Sequence, residues 1–432
     1  MSCRILFINR SYWPDTEATG QLLTELCEDL AATGEFEVHV LCGRPNHAAG
    51  DSPQAHSQER SRNGVTIHRV SHTQFGKRSI AGKLMNLASF TASAWWNSRR
   101  LPRPDIVVTE TDPFFLGLLG RRIQKKQDCR FVAYLPDIYP DVAVAVGSAR
   151  EGAFVRRWRE MLFRAYRAAD RVVVLSSDMS DRCTEHGVSA ERISVIPNWA
   201  DTDNIRPVSG PNHFREKHEL GEKFVVMYSG NMGLPHLLIP ILDAAERFRG
   251  RDEVVFLFVG EGVQRADLER DSGRRMLSNV RFLPYQPREF LSHSLSAADV
   301  QIVSVKPRVI SCLMPSKLYG ILAAGSSVLA IAPPDCEMSR LIRDCELGEV
   351  CDSSPRESMA EDLTAAIKRL MDRSRLVGIA ARARKLAESE FSRARQVERF
   401  RELLRRLTNR QGEPLAGERT TRLTEECAVA AG

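Results

Sequence analysis

Cysteines at metal-binding spacings are missing from this sequence. Its 432 residues scatter ten of them, at Cys3, Cys27, Cys42, Cys129, Cys183, Cys312, Cys336, Cys345, Cys351 and Cys427, with no C-x-x-C pair. That excludes a zinc-finger or zinc-ribbon module, and a chain of this length does not need a disulfide framework, so reduced thiols are the simpler expectation. Aromatics are sparse at 7%, and the net charge of +6, from 61 basic and 55 acidic residues, is a mild excess. A dense basic stripe interleaved with aromatics is lacking, so no nucleic-acid partner is expected; phosphates or an anionic lipid surface suit so small an excess. Long apolar runs are lacking too. The opening Met1–Asn9 is too short for a signal peptide and reads as a buried strand. No short-period repeat appears. What is present, 43% hydrophobic and 27% charged residues, is ordinary globular composition. The length is about twice what one hydrophobic core organises, so two domains are expected.

Short apolar runs alternate with helical patterns from the start. Arg4–Asn9, Glu37–Cys42, Val65–Val70, Asp105–Thr109, Arg130–Leu135, Arg171–Leu175 and Ile193–Ile196 read as strands, and Thr16–Thr33 as a helix with Leu22, Leu26 and Leu30 on one face. Strands without period-two alternation, separated by helices, indicate a parallel sheet covered on both faces. Gly43–Asn63 is polar and turn-rich and reads as a long loop. After a break the alternation restarts at Phe224–Tyr228, Val254–Val259, Val280–Leu283, Val300–Val305 and Val328–Ile331, with Leu234–Phe248 a helix. The expected division is an α/β domain over 1–200, a linker over 201–221, and a second α/β domain over 222–390. A helix over 391–407 packs back towards the first domain, and a disordered tail over 408–432 closes the chain. In doubly wound sheets ligands sit beyond the carboxyl ends of the strands, so the residues just after each strand carry the interest.

Ser229-Gly230-Asn231-Met232-Gly233 follows one such strand. It is either a tight turn or a place where bare backbone N–H groups meet an anion. Gly260-Glu261-Gly262 follows the next and offers the same pair of readings for a nucleoside. Pro315-Ser316-Lys317 opens a helix running on through Gly320 to Gly325. A proline suits a first helical turn, and a donor plus a cation at the positive end of a helix suits a diphosphate; a small-residue packing face with a solvated lysine is the alternative. Asp137 and Asp141 follow Arg130–Leu135 and are candidates for orienting a hydroxyl or acting as a base, or are turn residues. Asp201-Thr202-Asp203 lies in the linker without a strand to aim it, so no metal site is expected there.

Ile80–Trp96 contains Lys83 and Asn86, follows Lys77 and Arg78, and precedes Arg99, Arg100 and Arg103. It is too short and too polar to cross a bilayer. Basic flanks and the pair Trp95-Trp96 suit a helix lying at a lipid interface, with Lys83, Trp95, Trp96, Arg99 and Arg100 as the interfacial residues; a core helix with charged ends is the alternative.

Taken together, these stretches resemble the family 4 glycosyltransferases, retaining enzymes of the GT-B fold, in the branch that makes bacterial surface polysaccharides. The resemblance runs from about Arg4 to Leu407 and includes, in order, Tyr12-Trp13-Pro14-Asp15 with Thr19-Gly20-Gln21, Asp137–Ala143, Ile196–Asp203, Tyr228–Gly233, Val259–Gly262, Asn279–Leu283 and Pro315–Gly325. It implies two Rossmann-like doubly wound domains facing a cleft, an acceptor in the first and a UDP-linked nucleotide-sugar in the second. The base would lie near Gly260, Glu261, Gly262, Phe282 and Leu283. The diphosphate would meet Ser229, Gly230, Asn231, Gly233, Pro315, Ser316, Tyr319 and Gly320, with Gly20 close to the donor. Asp137 would position the acceptor or stabilise the oxocarbenium-like charge, and Lys317 would offset charge on the departing diphosphate. Transfer would retain the anomeric configuration and need neither metal nor cofactor. The acceptor would be a lipid-linked glycan, at the inner face of the cytoplasmic membrane.

Two departures stand out. Family members often carry glutamates eight residues apart where this chain has Cys312 and Gly320, and a basic pair where it has Asn231 and His236. Lys317 is then the substitute cation. A nucleotide-sugar 2-epimerase of the same fold, or a non-catalytic partner of a transferase, are the competing readings.

Overall fold

The computed structural model describes residues 2–15, 17–45, 59–75, 80–354 and 356–408. The expected disordered tail beyond Thr408, the middle of the expected loop (46–58), and Lys77 and Arg78 lie outside them. The chain divides into two compact units, the first taking residues up to Pro197 together with the chain from Val397, the second taking Asn198–Gln396.

The first unit holds an eight-stranded sheet. Its strands are β1 (Cys3–Ile8), β2 (Phe36–Cys42), β3 (Glu59–Arg62), β4 (Val65–Arg69), β5 (Ile106–Thr109), β6 (Arg130–Leu135), β7 (Arg171–Val174) and β8 (Ile193–Val195). They lie in the order β3-β4-β2-β1-β5-β6-β7-β8. All pairs are parallel except β3 with β4. Runs such as Ile5–Ile8 and Val172–Val174 are buried throughout because helices cover both faces. The helix Arg393–Thr408 returns to this unit from Val397 onward. Phe400 packs edge-on against Tyr134, ring centroids 5.1 Å apart. Arg401 and Arg405 both reach Glu35, at 2.6 and 2.5 Å.

The expected loop over Gly43–Asn63 needs correction at its end. Glu59–Arg62 is a strand pairing antiparallel with β4, Arg62 opposite Val65. Between them Asn63 and Gly64 both take positive φ, 46° and 81°, the backbone that a two-residue hairpin turn requires.

The second unit is a six-stranded parallel sheet: β9 (Phe224–Ser229), β10 (Val254–Val259), β11 (Val280–Leu283), β12 (Val300–Ser304), β13 (Ser327–Ala332) and β14 (Gly348–Asp352), in the order β11-β10-β9-β12-β13-β14. β14 is an addition to the sequence reading. Its Gly-Glu-Val-Cys-Asp carries little apolar signal, and Gly348 is required because a Cβ there would lie 1.9 Å from the Val328 carbonyl oxygen. Two helix starts also shift. The helix expected from Leu234 begins at Ile239, behind Pro240, and the one expected from Pro315 begins at Lys317. Among the described residues eight cysteines are free thiols, seven of them buried.

Each sheet reverses its winding once. In the first unit the chain builds outward from β1 through β2 and β4, then returns to β1's other side with β5. In the second it builds from β9 through β10 and β11, then returns with β12. Those reversals open crevices at the carboxyl ends of β1/β5 and β9/β12, where such sheets take ligands.

Candidate active site

At the β9/β12 crevice the backbone is packed as tightly as it can be. Gly230 and Gly260 end neighbouring strands with φ of 126° and 134°, and a Cβ on Gly260 would lie 2.2 Å from the Gly230 carbonyl oxygen. Gly262 has φ 152° and would drive a Cβ to 2.5 Å from the Met232 backbone. Met232 N–H donates to Glu261 O at 2.7 Å, and Gly260 N–H to Leu283 O at 2.9 Å. The turns after β9, β10 and β11 are thereby locked to one another. Side chains add to the lock. Arg265 donates to Gly260 O and to Glu261, both at 2.6 Å, and Phe282 stacks on Phe258 with centroids 5.0 Å apart.

Into this cluster comes Lys317. Its Nζ is buried, has no hydrogen-bond partner, and stands 3.6 Å from the Tyr228 ring centroid. A Cβ on Gly230 would sit 3.3 Å from Nζ, so the glycine leaves the amine its space. Burial pushes the Lys317 amine down to about 7. Its neighbour His236 donates from Nδ1 to Ser304 O at 2.5 Å. Burial first, and then the Lys317 charge, push His236 down to about 3. Two basic groups share a crevice in which neither has an anion. An ammonium favoured only by one aromatic face is far less satisfied than one against phosphate oxygens.

The other expected donor residues fall around this core. Ser229 closes β9 and Asn231 is exposed. Gly233 O accepts from Gln264 Nε2 at 2.5 Å. Pro315 O accepts from Leu318 N–H at 3.2 Å. Ser316 occupies the N-cap position without a side-chain capping bond. Tyr319 and Gly320 are not brought to the cluster. Tyr319 packs edge-on against Phe391 at 5.0 Å, and the bare face of Gly320 looks onto Leu295 and Ile205, 3.7 and 4.0 Å from an added Cβ. A glutamate there would meet leucine and isoleucine, which gives a physical reason for its absence. In the linker, Asp201 accepts from Asn204 N–H and Nδ2 at 3.1 and 2.7 Å, a local turn that occupies its carboxylate.

The β1/β5 crevice is acidic. Asp137, after β6, is pushed up to about 6 by burial and then by Asp112. Burial raises Asp112 as well, although Arg10 pairs with it at 3.1 Å. Glu110, directly after β5, is buried and lies well above the usual carboxylate range through burial and the charges of Asp112 and Asp137. Sequence reasoning passed over Glu110, though its place immediately after a strand was the signal for it. Gly20 also belongs here, since a Cβ on it would lie 2.6 Å from Ser11 Oγ, which donates to Asp15 at 2.9 Å. Asp141 does not. It is buried among Arg159 at 3.1 Å, Arg182 and His186 at 3.6 Å, and these partners hold it down at about 2 despite its burial.

Residues 18–199 match the family described as glycosyl transferase 4-like domain. This chain is a glycosyltransferase. The transferase is 27% identical over 363 residues to a putative colanic acid biosynthesis glycosyl transferase, WcaI, of Escherichia coli K12, covering 82% of this chain and 86% of that one. It is 24% identical over 310 residues to the probable glycosyltransferase WbjE of Pseudomonas aeruginosa, covering 71% and 76%. Among solved structures, sucrose-phosphate synthase from Thermosynechococcus elongatus superposes with a TM-score of 0.74 at 17% identity, covering 94% of this chain and 99% of that one. Anabaena HepE in complex with UDP and glucose superposes with a TM-score of 0.68 at 16% identity, covering 94% and 100%. These likenesses establish the GT-B fold for the transferase.

Of the expected interfacial residues, Trp95 is committed to packing, with Arg99 and Arg122 over its ring at 4.2 and 4.3 Å. Trp96 is 56% exposed and continues a stripe with the exposed Leu84 and Met85 on the helix Ile80–Ser98. Arg99 and Arg100 both lie 5.7 Å from the Trp96 ring. The Lys83 side chain lies outside the described residues. Among the described residues no helix is long and apolar enough to cross a membrane.

Proposed function

We propose that this glycosyltransferase moves a sugar from a UDP-linked donor to a lipid-linked glycan during bacterial surface-polysaccharide synthesis, with retention of configuration and without a metal. The observation that carries the donor half is Lys317, a buried amine with no partner, beside turns whose glycines let the strand ends lock together and leave the amine its space. A diphosphate supplies the anion this amine lacks, and the amine then stabilises the charge that grows as the diphosphate departs. The nucleoside lies along Gly260–Gly262, and the complexes of Anabaena HepE with UDP lend UDP its place as first choice. Asp137, in the first unit, orients the acceptor hydroxyl. In the retaining reaction that hydroxyl attacks the anomeric carbon on the face the diphosphate leaves, and the departing phosphate takes its proton. The acceptor's lipid is held where the exposed stripe Leu84, Met85 and Trp96 enters the surface of the cytoplasmic membrane, with Arg99 and Arg100 at the anionic headgroups.

Thermal unfolding with UDP, GDP, ADP or dTDP, on wild type and Lys317→Ala, tests the donor half. A nucleotide at 100 times its Kd adds about 2.7 kcal/mol, a visible rise in unfolding temperature. UDP is expected to give that rise in wild type and much less in Lys317→Ala. No rise with any nucleotide would overturn the donor site and favour a non-catalytic partner of a transferase.

A further inference from the structure

The β1/β5 crevice holds more unsatisfied polar chemistry than Asp137 alone accounts for. β1 and β5 pair in parallel with Ile8 opposite Thr109, and Glu110 N–H donates to Ile8 O at 3.2 Å, so Asn9 and Glu110 leave the sheet side by side. Asn9 Oδ1, Thr109 Oγ1 and Glu110 Oε2 are all buried, and none has a hydrogen-bond partner. Asn9 is committed only through Nδ2, which donates to Ser11 O at 2.9 Å. Glu110 is 3% exposed. Native proteins pair about nine in ten or more of their buried polar groups, so the orphans of Asn9 and Glu110, neighbours at one winding reversal, mark a place for a ligand's donors.

The groups that act on Glu110 are all acids. Asp112 and Asp137 face it from the ends of β5 and β6, and the buried thiol of Cys27 faces it from the helix Ala18–Ala32. Arg10, the cation at this crevice, is held on Asp112.

We propose that Glu110 is a positioning residue for the acceptor, its buried carboxyl pairing with a hydroxyl of an uncharged sugar beside Asn9 while Asp137 is left for the attacking hydroxyl. The inference rests on the transfer reading for its ligand, an acceptor sugar. A carboxyl held protonated by burial and acidic neighbours both donates to and accepts from a hydroxyl. A sugar that carries its own carboxylate would add a further negative charge to a crevice with three acids already in it.

The test titrates wild type, Glu110→Gln and Glu110→Ala with methyl glycosides of uncharged hexoses, with N-acetylglucosamine and with glucuronate, read by saturation-transfer NMR at several pH values. The unfolding temperature of each variant, with and without UDP, checks that it is folded. Wild type is expected to bind at least one uncharged sugar about tenfold more tightly than glucuronate, and Glu110→Ala to lose about tenfold of that affinity. Glu110→Gln, which still donates and accepts and carries no charge, should stay within about threefold of wild type and keep the discrimination against glucuronate, since Asp112 and Asp137 remain. Wild-type affinity should fall as pH rises and Glu110 ionises, and Glu110→Gln should lack that fall. Unchanged affinity in Glu110→Ala overturns the proposal. So does a wild type that binds none of these sugars. A missing UDP shift speaks against the donor site alone and leaves the sugar titration to decide Glu110.

Discussion

Lys317 is a residue whose surroundings do not suit its ordinary state. In water the amine stays charged up to its ordinary pKa of 10.5, whereas burial holds it at about 7 in the folded chain. Between those values the unfolded chain binds the proton and the folded chain does not, so this group makes ligand-free stability rise with pH from about 7 upward. Lys317→Met keeps the bulk and removes the charge. The ligand-free variant should be more stable than wild type at pH 7 by roughly 1–3 kcal/mol, the usual penalty of an unsatisfied buried polar group, and its unfolding temperature should lose the rise with pH. Denaturant melts between pH 6 and 10 measure both. A Lys317→Met protein less stable than wild type at pH 7 would mean that the ring of Tyr228 satisfies the amine, and the anion argument would lose its force. Asp137 behaves with the opposite sign. Its raised pKa, to about 6, means the folded chain keeps a proton that the unfolded chain has lost, so its contribution to stability falls as pH rises through that range.

Among the elements, the helix Ile80–Ser98 states its purpose by what it fails to bury. Phe90, Ala94 and Ser98 face inward at 0% exposure, while Leu84, Met85 and Trp96 stay exposed. Trp95 shows the other use of a tryptophan, since Arg99 and Arg122 on its ring are structural contacts. The double change Leu84→Glu and Trp96→Glu alters only exposed positions, so it should shift stability by no more than about 0.5 kcal/mol each. It should also remove sedimentation with phosphatidylglycerol-containing vesicles. Wild-type binding should weaken with salt, because Arg99 and Arg100 contribute by charge. Equal sedimentation of both proteins would sink the lipid-surface role. The same scale explains the hairpin that sequence reading passed over. Asn63-Gly64 is a strong short-range hairpin signal, but the strand before it is Glu-Arg-Ser-Arg, with no apolar residue to advertise it.

For the whole molecule, the chain divides into two compact units, and the proposed function divides its ligands between them. Hydrogen exchange with and without UDP should therefore slow in the backbone around 229–233, 259–262 and 315–318 and stay unchanged around 9–11 and 109–112. Protection at the β1/β5 crevice by UDP alone would mean the division of ligands is wrong. Fluorescence would be a poor substitute, because of five tryptophans only Trp199 lies in the second unit.

Much of this was legible in the chain itself. Unbroken apolar runs between helical patterns specified parallel sheets, since only a strand buried on both faces tolerates such a run. Glycines at 230, 260 and 262 marked the turns, because a Cβ there has no room and a positive φ has few other tenants. What the linear order left open was proximity. Lys317 stands 89 positions from Tyr228 in the numbering and yet over its ring, and Glu110 meets Asn9 only because β5 returns to β1's free side. Local pattern follows from the period of each element, which neighbouring residues determine. Which unsatisfied groups end up sharing one crevice is set by strand order, which long-range pairing alone decides.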